Sequence, residues 1–357
     1  MFSQTPFLEN ESLGGTGAPA ISARNCDTSA VAITSLRREK LKPLLAASKW
    51  VWRQPWIPIH LKKSAYRIIG RQEQRPDAPF TTNFFGLTYE GNLKDEIEFA
   101  LYFYGAFEKP LLFFMRDAMN ALSSDGLSGN FCDIGANIGQ HSLFMSLYAE
   151  QVHAFEPFTA VRSRLEHHIG LNNISNVAVH ATALGDSNGE FEFFAPTGSN
   201  RGIGSFLAST TIKGNASIGK LKVAKGDDYF TNHHIGPIQL IKIDVEGFEK
   251  SVLHGLKNTM ISSRPVIVCE VTYGESESFR SLQEFKDALP KDYQIFRFKT
   301  RKASGRTARR RGARAKRTGA YSLEMMTSFL EYGQDDLVAI PEERRRLIAL
   351  SAPHRKS

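Results

Sequence analysis

Cysteine is scarce in this chain: Cys26, Cys132 and Cys269 are the only three in 357 residues, far apart and without a CxxC pair. The odd total and the spacing give no disulfide framework, and they fit a reducing cytoplasm. Long apolar runs are missing too; nothing approaches the roughly 20 residues that a membrane span needs. The opening MFSQTPFLENESLGGTG has neither a basic region nor an apolar core, so no secretory signal is expected and a cytoplasmic location is. Acids are absent from residues 297–317, where eleven Lys or Arg stand. Subtracting those eleven from the net charge of +8 leaves −3, so the basic character belongs to one segment and the rest is mildly acidic.

What is present suits a globular enzyme, with 41% hydrophobic and 23% charged residues. Residues 1–48 are rich in Ser, Thr, Ala and Gly and read as a loose lead-in. Residues 49–125 read as an extension and cap, beginning with the Trp-rich KWVWRQPWIPIHLKK, which Pro55 and Pro58 keep from forming one amphipathic helix. From 126 to 345 short apolar runs alternate with helix-length amphipathic segments, and 346–357 reads as a tail. The expected strands are 130–134, 152–155, 177–181, 240–243, 266–271 and 293–298, with helices over 140–149, 160–171, 247–256 and 278–289. This alternation predicts an α/β fold: a doubly wound, Rossmann-like, mostly parallel sheet with helices on both faces. A last strand over 336–340, beside 293–298, would make the Arg-rich loop 300–319 the connection of an antiparallel C-terminal hairpin.

Ligands of open parallel sheets bind beyond the carboxyl ends of the strands. Three such ends here carry unusual residues. The first is Asp133-Ile134-Gly135-Ala136-Asn137-Ile138-Gly139, where small residues permit a tight turn and close backbone approach before a helix. Its Gly-x-x-x-Gly spacing matches neither the dinucleotide fingerprint nor the phosphate loop. The second is His153-Ala154-Phe155-Glu156-Pro157, whose Glu156 falls 23 residues after Asp133 and is placed to accept from ribose hydroxyls. The third is Lys242-Ile243-Asp244-Val245-Glu246-Gly247-Phe248-Glu249, three acids in six residues at a strand end. Acids there line a cleft or cap the next helix, since burying them unpaired is costly.

Together these motifs resemble the FkbM-type S-adenosylmethionine-dependent methyltransferase family over about Phe84 to Pro341. DIGANIGQHSLFMS is similar to its first cofactor motif, HAFEP to its ribose motif, and ALGDSNGEFEFF to the segment beside the adenine. LIKIDVEGFEKSVLHGL followed by PVIVCEV is the most distinctive part. The resemblance implies S-adenosyl-L-methionine as donor and O-methylation of a hydroxyl on a sugar, glycan or secondary metabolite. Carried over, Asp133, Gly135, Ala136, Asn137 and Gly139 form the first cofactor loop, Glu156 holds the ribose, and Ala183, Leu184 and Gly185 lie by the adenine. Asp244, Glu246 and Gly247 face the transfer cleft, with Asp244 or Glu246 as the base. His141 is a weaker candidate for that role. No metal is expected, because Asp244 and Glu246 have no evident third ligand. The chain departs from the family at Ala224-Lys225-Gly226-Asp227-Asp228 and in the Arg-rich loop, both expected near the acceptor. Two rival readings are a nicotinamide-dependent oxidoreductase, which the loop spacing disfavours, and a protein that binds nucleic acid or an anionic membrane through the Arg-rich loop.

Overall fold

The computed structural model describes residues 75–196, 204–273, 278–299, 309–331 and 333–352, with Pro43, 46–51, Gln54 and Ile57 before them. Contacts divide the chain into two units, Met1–Ala47 and Ser48–Ser357, and the second holds the cap and both sheets. The lead-in, most of the Trp-rich segment and residues 300–308 of the basic stretch lie outside the described residues.

The cap begins with an antiparallel hairpin, β1 (Pro79–Phe84) and β2 (Leu87–Asn92). Helix α1 (Glu96–Tyr104) follows, capped by Asp95, whose carboxylate accepts from the Ile97 and Glu98 amides at 3.0 and 3.2 Å. Helix α2 (Lys109–Ser124) starts with Pro110 in its first turn, where a missing N–H costs nothing. Its preceding residue, Glu108, sits in the left-handed region at φ 46°.

The main sheet then starts with β3 (Asn130–Ile134), α3 (Gln140–Met145), β4 (Val152–Phe155), α4 (Thr159–Leu171) and β5 (Val177–His180). Glu98 of α1, fully buried, pairs with Arg164 of α4 and ties the cap to the body. Three strands leave the main sheet to form their own: β6 (Ala183–Gly185), β7 (Gly189–Pro196) and β8 (Asn215–Lys225), in the order β6-β8-β7. The chain returns through α5 (Gly226–Asn232), β9 (Ile238–Ile243), α6 (Glu249–Gly255), α7 (Lys257–Ser263), β10 (Val266–Tyr273) and α8 (Leu282–Asp287). It ends with β11 (Tyr293–Phe298), α9 (Arg309–Thr318), β12 (Tyr321–Met325), β13 (Gly333–Pro341) and β14 (Ser351–Ala352).

The large sheet has nine strands in the order β14-β12-β11-β13-β10-β9-β3-β4-β5. Strands β10, β9, β3, β4 and β5 run parallel, and β13 joins antiparallel between β10 and β11. The winding reverses between β3 and β9, so the crevice for a ligand opens at their carboxyl ends. All six residues of β9 are buried, as a parallel strand covered on both faces requires. Side chains alternate between two cores: Phe131, Leu240, Val268 and Val338 face one side, Cys132, Ile241, Cys269 and Ala339 the other. Each large apolar side chain so buried contributes about 1.5–3 kcal/mol. Both cysteines are thus small core residues.

The expected α/β sheet and its antiparallel hairpin are present, with three differences. The hairpin partner of β11 across the basic segment is β12, not the strand over 336–340, which pairs on the other edge of β11. Within the basic segment, residues 309–318 form a helix, because Ala, Arg and Lys are strong helix formers. The stretch after 345 adds β14 to the sheet and buries Ile348. No helix among the described residues is long and apolar enough to cross a membrane.

Candidate functional site

A cleft of about 390 Å³ opens at the carboxyl ends of β3, β4 and β9. Its floor is the loop after β3. There Gly135 has φ +84°, and a Cβ on it would stand 1.9 Å from the Asp244 carbonyl oxygen. The glycine therefore lets the β3 and β9 loops touch, and the Asp244 amide donates to the Ile134 carbonyl at 3.0 Å beside it. Gly139 fits against Leu165, whose side chain a Cβ would meet at 2.2 Å, so it seats α3 on α4 from behind the cleft. The Gly135 and Ala136 amides both donate to the Phe155 carbonyl at 3.0 Å. Phe155 also closes β4.

Glu156 joins the two loops. One carboxylate oxygen accepts from the Asn137 amide and the other from the Phe158 amide, each at 2.9 Å. Burial raises its pKa from 4.5 to about 7, against those two amide bonds. Each oxygen keeps a lone pair for a further donor in the cleft. Aromatic rings form the adjoining wall: Phe158 and Phe193 lie 5.7 Å apart, Phe193 and Phe206 5.0 Å, and Phe206 and Phe248 5.2 Å. Ala183 and Leu184 complete it.

At the end of β9, Lys242 is 1% exposed and its ammonium lies 2.7 Å from the Asp244 carboxylate. Burial opposes that charge, but Asp244, Asp133 and Glu108 outweigh it and hold Lys242 well above its usual range. Burial likewise opposes ionisation of Asp244; Lys242 and a hydrogen bond with Glu270 reverse the balance and keep it ionised. Glu270 is pushed well up, first by burial and then by Asp244 and Asp336. Glu108 is raised to about 7, chiefly by burial, and stands 3.4 Å from the His141 imidazole. That imidazole is held neutral, its pKa lowered to about 3 by burial and by Lys242.

Of the residues singled out from the sequence, Gly135, Asn137, Glu156, Ala183, Leu184, Asp244 and Glu246 line the cleft. Asp133 does not: it is fully buried beneath the loop, where one oxygen accepts from the Ser142 hydroxyl at 2.6 Å. Ala136 is buried in the loop's core, and Gly139 and Gly185 act through packing. Glu249, the first residue of α6, ties down the loop before it: one carboxylate oxygen accepts from the Gly247 amide at 2.9 Å and the Val245 amide at 3.3 Å. The Ala224–Asp228 segment, expected near the acceptor, is not part of the cleft lining, and Asp227 caps α7 through the Asn258 and Thr259 amides, both at 2.8 Å. Sequence reasoning missed Glu108 and Glu270, which also line the cleft. Glu270 supplies the third ligand atom expected to be lacking: with Asp244 and Glu246 it brings three carboxylate oxygens within 4.8 Å of one another.

A doubly wound sheet with a carboxylate beyond the end of β4 and an acidic third motif beyond β9 has its crevice where α/β folds of this kind bind nucleotides. Residues 133–297 match the methyltransferase FkbM domain. "Methyltransferase 1" of Beauveria bassiana is 28% identical over 192 residues, 46% of this chain and 77% of that protein. "Hexuronic acid methyltransferase AglP" of Haloferax volcanii is 32% identical over 137 residues, 38% of this chain; the chain spans 53% of its length. Among solved structures, a methyltransferase FkbM from Methylobacillus flagellatus aligns with TM-score 0.35 at 17% identity, covering 59% of this chain and 43% of that one. A SAM-dependent methyltransferase from Agrobacterium tumefaciens aligns with TM-score 0.40 at 9% identity, covering 74% and 70%.

Proposed function

We propose that the chain methylates a hydroxyl oxygen of a sugar, glycan or secondary metabolite with S-adenosylmethionine as donor. The observation that carries this reading is Glu156, which faces the cleft from the end of β4 between the glycine loop and an aromatic wall. The cleft suits that donor. Its carboxylate can accept from two ribose hydroxyls, Ala183 and Leu184 with the phenylalanines offer an apolar slot for a purine, and the Gly135–Asn137 loop borders the remainder. When bound, the donor supplies an electrophilic methyl group on a sulfonium.

The chain's own contribution is alignment and proton removal. Asp244 and Glu246 are our assignment for the base, since both stand at the cleft beside the β9 loop. Lys242 keeps Asp244 ionised and fixes its carboxylate. A sugar-type acceptor is supported by the relative from Haloferax volcanii, whose name gives a hexuronic acid as its substrate. Calorimetric titration with S-adenosylmethionine, S-adenosylhomocysteine and NADH tests the reading. Micromolar binding of the first two alone, lost in Glu156→Ala, is the expected outcome, and binding of NADH alone would sink it.

A further inference from the structure

Behind the cleft lies a second chamber of about 370 Å³, between the cap, β10, β13 and α9. The two cavities share Glu96, Phe107, Glu108, Glu270 and Gln334 as their common wall. Phe99, Tyr104, Leu111 and Phe298 make the chamber's sides apolar. Arg75 also forms part of its wall, and its side chain is only 9% exposed. Its guanidinium lies 5.0 Å over the Phe99 ring, and one terminal nitrogen is 3.9 Å from the half-exposed Glu96 carboxylate. The Nε–H is buried and has no hydrogen-bond partner among the described residues.

A buried, unsatisfied donor costs about 1–3 kcal/mol, more on a charged group, and calls for an explanation. An ion pair as long and exposed as that with Glu96 contributes little. The edge of a guanidinium, Nε–H beside a terminal N–H, is the fork that a carboxylate fills with two parallel bonds. Glu108 and Glu270 stand where the chamber meets the cleft, and their oxygens can accept from hydroxyls. The chamber's lining thus combines a cationic donor, acidic acceptors and aromatic rings.

We infer that this chamber holds the methyl acceptor and that Arg75 anchors a carboxylate on it, so that the acceptor is a sugar acid presenting a hydroxyl towards Glu108 and Glu270. The inference rests on the methyltransferase reading above and names the substrate class of that site. Lys316 of α9, which also borders the chamber, brings a second positive charge to its wall from the basic segment. The part of that segment nearest the site serves the acceptor in this way.

The test uses the full chain with S-adenosylhomocysteine bound, titrated with D-glucuronate and with its uncharged amide, D-glucuronamide. Glucuronate should bind at least tenfold more tightly than the amide. Arg75→Gln should abolish that preference, Arg75→Lys should restore part of it, and neither should change the affinity for S-adenosylhomocysteine. Equal binding of acid and amide, no binding of glucuronate, or a preference that survives Arg75→Gln would each overturn the assignment. Failure of S-adenosylhomocysteine itself to bind would instead remove the reading on which it rests.

Discussion

Lys242 of β9 and Asp244, the first residue past its end, form an ion pair of 2.7 Å at the cleft, and the lysine is sealed from solvent. The pair organises the acids around it. Without the ammonium, Asp244 would face Glu270, with Asp336 beside it, carboxylate to carboxylate. Removing one partner of a buried pair leaves an uncompensated charge, at a cost of about 3–5 kcal/mol. Lys242→Met should therefore lower the melting temperature sharply, and Lys242→Met with Asp244→Asn should recover part of the loss. Equal melting of the single and double variants would show that the pair is not coupled.

Asp244→Asn alone separates structure from chemistry. Asparagine keeps an oxygen towards Lys242 but gives up the charge, so some stability is lost. As the assigned base, Asp244 should be worth about 10²–10⁴-fold in turnover. The variant should bind S-adenosylhomocysteine normally and transfer methyl groups at least a hundredfold more slowly. Wild-type turnover would transfer the role to Glu246.

Much of this arrangement is legible in the sequence, because β3, β4 and β11 are short apolar runs with clear boundaries and the glycine loop follows an apolar strand. The small sheet is not legible: β7 exposes its first four residues and β8 most of its middle, so neither shows a clean period. Glu108 lies ahead of the three strand-end motifs, and Glu270 sits inside PVIVCEV, where the resemblance gives its acid no role. One signal was available for Glu270, a lone acid inside the apolar run Val266–Tyr273, and Lys242 offers the same signal inside Ile238–Ile243. A charge placed in a covered parallel strand is costly unless it has a partner, so such a pair points to a site.

Gly135 and Gly126 give a controlled comparison. Both have positive φ, +84° and +79°, so alanine is strained at either by roughly 1 kcal/mol. Only at Gly135 does the new Cβ meet backbone, the Asp244 carbonyl at 1.9 Å, whereas Gly126 has nothing within 4 Å. Gly126→Ala should be mildly destabilising and bind S-adenosylhomocysteine as the wild type does. Gly135→Ala should push the β3 and β9 loops apart, with a much larger fall in melting temperature and lost binding. Similar behaviour of the two variants in calorimetry would show that the loops separate freely.

Two glutamates raised to the same value should respond in opposite ways to glutamine. Burial lifts Glu156 and Glu249 from 4.5 to about 7, so the folded state favours their neutral forms. Their folded pKa lies above the unfolded one. The stability they contribute is fully present below about pH 4.5 and is lost as pH rises through about 7. The ligand-free protein should therefore melt at progressively lower temperature from pH 5 to pH 7 from these groups, and level off above. In Glu249 one oxygen takes both amide hydrogens, and the amide oxygen of glutamine can do the same. Glu249→Gln should leave stability near wild type at pH 5 and raise it at pH 8, by up to about 3 kcal/mol at about 1.4 kcal/mol for each tenfold change in proton affinity. In Glu156 each oxygen takes a different amide, so glutamine must turn its NH₂ towards either Asn137 or Phe158. A donor facing a donor is a lost hydrogen bond and a buried unsatisfied group. Glu156→Gln should thus be destabilising at pH 5 and pH 8 alike and should weaken S-adenosylhomocysteine binding. Thermal melts of the two variants at both pH values check this; a stabilised Glu156→Gln at pH 8 would mean that its two amide bonds do not hold the loops together.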